Sequence, residues 1–142
     1  TSFPNRVRFS NLVDANSVPD SWDETDTTKS AGFNDLVQMQ TAIVDGLELG
    51  TNFVIYSSSE AILMEFVGGT FLFNFRKLFS DDGLINQNCV VEADGKHFCF
   101  GNNDIYIHDG NTGTFTIGPR YHNYLVCDSL NPQILGYPKY AT

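Results

Sequence analysis

The chain has 142 residues, 42% of them hydrophobic, which is enough to bury a core and excludes a disordered chain. A net charge of −9 argues against a protein that grips nucleic-acid phosphates through a basic face. No apolar run approaches the ~18 residues that a membrane helix needs, and no segment reads as a signal peptide. Thr1 stands where a starting Met would be, so a fragment or a processed product is expected. Twelve Phe, six Tyr and one Trp, together with many Val, Ile and Thr, favour strands, and twelve Gly with many Asn and Asp supply turns.

The alternating segment Arg6–Asn11 predicts a first strand. Residues 12–32 read as a long polar loop carrying Asp14, Asp20, Asp23, Glu24 and Asp26, with Trp22 expected to pin it to the body. A set of four strands follows: Gln38–Val44 ending at an Asp45-Gly46 turn, Thr51–Tyr56, Glu60–Phe66 and Thr70–Leu78. Ser57–Ser59 and Gly68-Gly69 are the turns between the last three. After the loop Ser80–Gly83 a second set is expected: Gln87–Ala93, Lys96–Phe100, Asp104–His108 and Gly113–Ile117. Its turns fall at Asp94-Gly95, Gly101–Asn103 and Asp109-Gly110. The tail from Pro119 is aromatic and Pro-rich, with a short helix or strand at Tyr124–Leu130 and irregular backbone after it.

The two sets overlay. Phe53–Tyr56 falls on Phe98–Gly101 and Glu60–Leu63 on Asp104–Ile107, an offset of about 45 residues, within the range of propeller blades. The expected fold is therefore all-β: propeller-type antiparallel four-stranded blades, about two of them plus flanking strands. The divisions are 1–34 (entry strand and acidic loop), 35–79 (first blade), 80–118 (second blade) and 119–142 (irregular tail). Propellers use about 4–8 blades. Two blades cannot close a ring, so either a longer chain completes it or the pair is a sandwich.

Chemistry is not signalled. His97, His108 and His122 have no helical i, i+4 partner and read as structural or solvated. Cys99 shares a strand face with His97, which follows from the period of two and does not by itself make a nucleophile. Cys89, Cys99 and Cys127 are odd in number and match no zinc spacing, so they read as reduced thiols in a cytosolic setting. Ser57–Ser59 lacks a nucleophile elbow. The acidic loop lacks the EF-hand spacing and reads as solvated, and Asp81-Asp82 as a turn. Many carboxylates are present, but nothing singles out a facing pair for glycoside hydrolysis. No catalytic, cofactor-binding or metal-binding residue is assigned, and no cofactor is expected.

One family fits the order of the motifs. Arg6–Ser10 followed by the acidic loop and Trp22 resembles the opening of podovirus tail nozzle proteins, the tail tubular protein B family. Val54–Tyr56 through Glu65-Phe66 resembles a blade with a Ser-rich turn and no ligand motif, and Phe73–Leu78 with Gly83 its aromatic-basic strand. Val90–Gly95, Phe98–Gly101 and Ile105–Gly110 are similar to the next blade, and Tyr124–Val126 with Leu130–Gln133 to the segment after it. Family members are several times longer. The resemblance implies a non-enzymatic virion structural protein. It would be a homohexameric ring in the phage tail, assembled in the host cytoplasm below the portal and adaptor. It would touch other tail proteins and pass genomic double-stranded DNA without specific binding. Two other readings use the same residues: a carbohydrate-binding β module, with Trp22, Tyr121 and Tyr124 stacking on sugars, and a propeller-type glycan hydrolase.

Overall fold

A computed structural model describes residues 2–102 and 104–111, with the backbone of Phe115–Thr116. The described residues are all-β and contain no helix; their ten strands form three antiparallel sheets. Strands β1 (Arg6–Phe9) and β2 (Gly32–Asp35) make a two-stranded ribbon. Strands β3 (Ile43–Leu49), β4 (Asn52–Ser57), β5 (Ala61–Phe66) and β6 (Phe73–Phe79) form a four-stranded meander in sequence order. Strands β7 (Val90–Ala93), β8 (Lys96–Phe100), β9 (Ile105–His108) and β10 (Phe115–Thr116) form a second. The described residues close neither a barrel nor a ring. The expected tail at 119–142 lies outside them, with His122, Cys127, Tyr121, Tyr124 and the ends of the Gly113–Ile117 strand.

The all-β class and the two four-stranded sets agree with expectation, and several boundaries change. Asp45-Gly46 is not a turn: both residues lie inside β3, paired with Tyr56 and Ile55, and the chain reverses four residues later at Gly50-Thr51. A bulge between Ile43 and Asp45 absorbs the irregularity. Gly46 leaves room for a cross-strand aromatic, since a Cβ there would sit 2.6 Å from Phe53 Cε1. The predicted strand at Gln38 begins only at Ile43, and the one at Gln87 only at Val90. By contrast Asp94-Gly95 is the expected hairpin turn, with φ of 55° and 72° between the paired Ala93 and Lys96, the signature of type I′.

Strand β2 was not foreseen, and it runs across the proposed division at residue 34. Its anchor is Arg6, which donates from Nε to Asp35 at 2.7 Å and lies between the rings of Phe3 and Phe33, 3.7 and 3.9 Å from their centroids. Trp22 does not pin the acidic loop, because it is 54% exposed. Polar cross-links hold the loop instead: Asn11 donates to Asp20, Lys29 pairs with Asp20 at 2.6 Å, and Ser30 donates to Asn11 Oδ1.

Two cores lie on opposite faces of the first meander. Ile55, Ile62 and Met64 pack under the ribbon and its continuation, against Leu36, Met39 and Val7. Val54, Tyr56, Ala61 and Leu63 pack with Cys99 and Tyr106 of the second meander. The registers of the first two hairpins match: adding 44 to both partners turns Leu49–Asn52 into Ala93–Lys96, and Tyr56–Ala61 into Phe100–Ile105, whereas Leu63 pairs with Arg76 and its counterpart Ile107 with Phe115. The offset of 44 agrees with the overlay of Glu60–Leu63 on Asp104–Ile107 and corrects that of Phe53–Tyr56, which belongs on His97–Phe100. One residue of slip matters because it exchanges the two faces of a strand.

With the corrected offset, the residues of the first sheet that face the second correspond to Phe98, Phe100, Ile105 and Ile107. The second sheet turns the other set, His97, Cys99, Tyr106 and His108, toward the first. The two meanders therefore stack front to back. A two-fold sandwich would bring equivalent faces together.

Candidate functional site

The interface between the two meanders holds a buried polar cluster in an otherwise apolar core. Alternation places Tyr56 on the inner face of β4, His97 and Cys99 on that of β8, and Tyr106 and His108 on that of β9. Cross-strand register sets His97 opposite His108 and Cys99 opposite Tyr106. Tyr56, His97, Cys99 and Tyr106 are at most 1% exposed and His108 is 3% exposed.

Tyr56 Oη lies 2.6 Å from His97 Nδ1 and 2.5 Å from His108 Nε2. The outer partners decide every proton. The Gly110 amide donates to His108 Nδ1 at 3.2 Å, so that nitrogen is bare and the ring carries its hydrogen on Nε2. His97 Nε2 lies 2.7 Å from the Glu48 carbonyl, which can only accept, so His97 is also the Nε2–H tautomer. The bonds then run one way: Gly110 N–H to His108 Nδ1, His108 Nε2–H to Tyr56 Oη, Tyr56 O–H to His97 Nδ1, and His97 Nε2–H to the Glu48 carbonyl. The Cys99 thiol points at Tyr56 Oη from 3.6 Å. Both rings are neutral, and both nitrogens of each have a partner.

Burial acts on all of these groups in the direction that keeps them uncharged. Desolvation pushes His108 down to about 4; neighbouring His97 lowers it further and Asp109 opposes. Desolvation also lowers His97, against the pull of its Glu48 bond and of Glu92. It raises both tyrosines and pushes the Cys99 thiol up to about 11. A thiol so placed is inert as a nucleophile near neutral pH, because attack needs the thiolate. The tautomers also bear on metal binding. His108 presents N–H, not a lone pair, to the centre of the cluster. Among the described residues no group of three or more His, Cys, Asp or Glu is arranged to hold a metal.

Aromatic packing and a strap complete the site. Phe79 of β6 meets Tyr106 and His108 edge-on, with centroids 5.5 and 5.3 Å away. The segment between the meanders crosses both: Leu84 N donates to Ser57 O, Ile85 N to Phe100 O, and Tyr106 Oη to Gly83 O. Asn102 of the β8–β9 turn donates to Ser58 O at 2.7 Å, joining the two turns. Arg76 of β6 reaches Gly110 O at 3.3 Å.

Sequence reasoning placed His97 and Cys99 on one face, as observed, and read the histidines as structural or solvated; His97 and His108 are buried and bonded. It did not bring Tyr56 to them, because that contact spans 41 and 52 residues and depends on how the sheets stack. Ser57 and the acidic loop have hydrogen-bond partners outside this cluster. Ser57 closes its turn, receiving Glu60 N on Oγ and donating its amide to Glu60 O. In the acidic loop Asp23 and Asp26 accept from Thr25 and Thr28, which lowers both carboxyls. Surface depressions lie elsewhere, one walled by Phe9, Asn34, Phe71 and Phe73, another by Val7, Phe53, Met64 and Phe66. No protein-family model and no curated protein matches the chain.

Proposed function

We propose that this chain serves as a structural stacking element, with its meanders acting as two blades of a propeller-type ring. The assembly we assign it to is the non-enzymatic phage tail nozzle that its sequence resembles. The observation that carries this reading is the front-to-back stacking of two meanders whose first two hairpins share one register. Such a contact joins unlike faces and so repeats, as blades around an axis do, whereas a face-to-face pair ends with two members. The buried tyrosines, histidines and thiol support a passive role, since all are held neutral and occupied with one another. A net charge of −9 suits a conduit past which DNA slides, because like charges repel.

The test is native mass measurement and electron microscopy of the full-length gene product, with glycan-array and glycan-hydrolysis assays on the same sample. A sixfold ring inert toward glycans is the expected result. A monomer that binds sugars would return the carbohydrate-binding reading, and turnover of a glycan the hydrolase reading.

A further inference from the structure

We propose that the His97–Tyr56–His108 cluster is an acid-sensitive latch, and that protonation of its imidazoles releases the second meander from the first. The inference rests on reading the cluster as the lock between the two sheets. Its basis is geometric: the network has no place for an added proton. On His108 the bare nitrogen is Nδ1, and the Gly110 N–H points at it, so a proton there sets donor against donor. On His97 the bare nitrogen is also Nδ1, and it receives the Tyr56 hydroxyl hydrogen. Protonating it forces that hydrogen toward Cys99 Sγ, a weak acceptor 3.6 Å away. Either change also places a cation on a ring that is at most 3% exposed.

The charges around the cluster do not rescue it. From β7, Glu92 favours charged His97; beyond β9, Asp109 favours charged His108; desolvation outweighs both. Asp82, on the strap, acts on Cys99 and Tyr106. Strand β3 supplies the Glu48 carbonyl and Asp45, whose Oδ2 accepts from Asn88 N. Strand β6 adds a positive charge, Arg76, bonded to Gly110 O and paired with Glu65. Strand β5 contributes Ala61 and Leu63, which cannot titrate. An opened interface lets both rings take protons in water, so acid draws the equilibrium toward the open form.

Cys99 reports the opening, because its thiol is fully buried at the interface. In the full chain carrying C89S and C127S, Cys99 is reacted with an aromatic disulfide that remains reactive toward thiols in acid. The rate at each pH is divided by that of the same chain in denaturant. Between pH 7.5 and 5 the normalised rate is expected to rise about thirtyfold from His108 alone, since its free imidazole titrates near 6.5 and its buried one near 4. H97Q/H108Q should flatten the profile.

A wild-type rate independent of pH, or a variant that keeps the full rise, overturns the latch. If the double variant does not fold, the wild-type ring signals of His108 decide by NMR. A ring that titrates near 6.5 while Cys99 stays protected also overturns it. The mass of the full-length assembly is a separate readout, so the ring can fail while the latch stands, and the reverse.

Discussion

Replacing Tyr56 with Phe removes one oxygen and leaves two imidazole nitrogens without a partner. His108 Nε2–H loses its acceptor, and His97 Nδ1 loses its donor. An orphaned buried polar group costs about 1–3 kcal/mol, so Y56F should destabilise the chain by about 3 kcal/mol. C99A, which removes only a weak donor and a small volume, should cost about 1–2 kcal/mol. Urea unfolding of both variants checks the order: Y56F should lower the midpoint further than C99A at an unchanged slope, and equal losses would place the importance of the site in packing alone. At this scale the sequence was half legible. The period of two put His97 with Cys99; the same rule places Tyr106 with His108, a pairing that the sequence reading did not draw. Nothing local to Tyr56 marks it as their shared partner, because the third dimension enters only when the sheets stack.

Among the elements, the strap between the meanders tolerates substitution least at Gly83. A Cβ there would lie 2.1 Å from the Ser57 carbonyl oxygen and 2.5–2.6 Å from the Ser58 and Ser59 backbone. These are main-chain atoms of the β4–β5 turn, which cannot swing aside as a side chain can. G83A should therefore displace the strap and break the bonds from Leu84 N to Ser57 O and from Tyr106 Oη to Gly83 O. The expected loss is about 2–4 kcal/mol, the range of buried overpacking joined to a lost hydrogen bond. Thermal unfolding monitored by circular dichroism reads it, and a melting temperature within a degree of the parent would rule the tight contact out. Sequence inspection expected a loop at Ser80–Gly83 but not its part in joining two sheets. Turn chemistry alone was an uneven guide: Asp94-Gly95 turns, and Asp45-Gly46 does not. What separates them is cross-strand context, since Gly46 stands beneath the Phe53 ring while the Asp94-Gly95 pair projects beyond its hairpin.

For the whole molecule two effects of acid oppose each other, and their sizes decide the outcome. Falling pH brings the net charge from −9 toward zero near pI 4.4, which relieves self-repulsion and favours folding. The histidine pair works the other way. His108 is held at about 4 in the folded chain against 6.5 when free, so between those values the unfolded chain binds the extra proton. Its contribution is fully present above about pH 6.5 and drains away as pH falls toward 4. By pH 5 the loss is roughly 2 kcal/mol from His108, and His97, shifted the same way, adds to it. Dispersed surface repulsion among solvated carboxylates is screened and individually small. Stability should therefore decline from pH 7.5 to 5 even as the chain approaches its isoelectric point. Below that window a second loss begins, because Glu60, held low by Lys77 and the Gln40 amide despite its burial, must then be protonated. Urea titrations at pH 7.5, 6 and 5, each at low salt and at about 0.5 M salt, separate the terms. A decline that survives salt belongs to the buried rings. Stability that rises toward pH 5 and flattens with salt would instead make self-repulsion the governing term and leave the histidines ordinary.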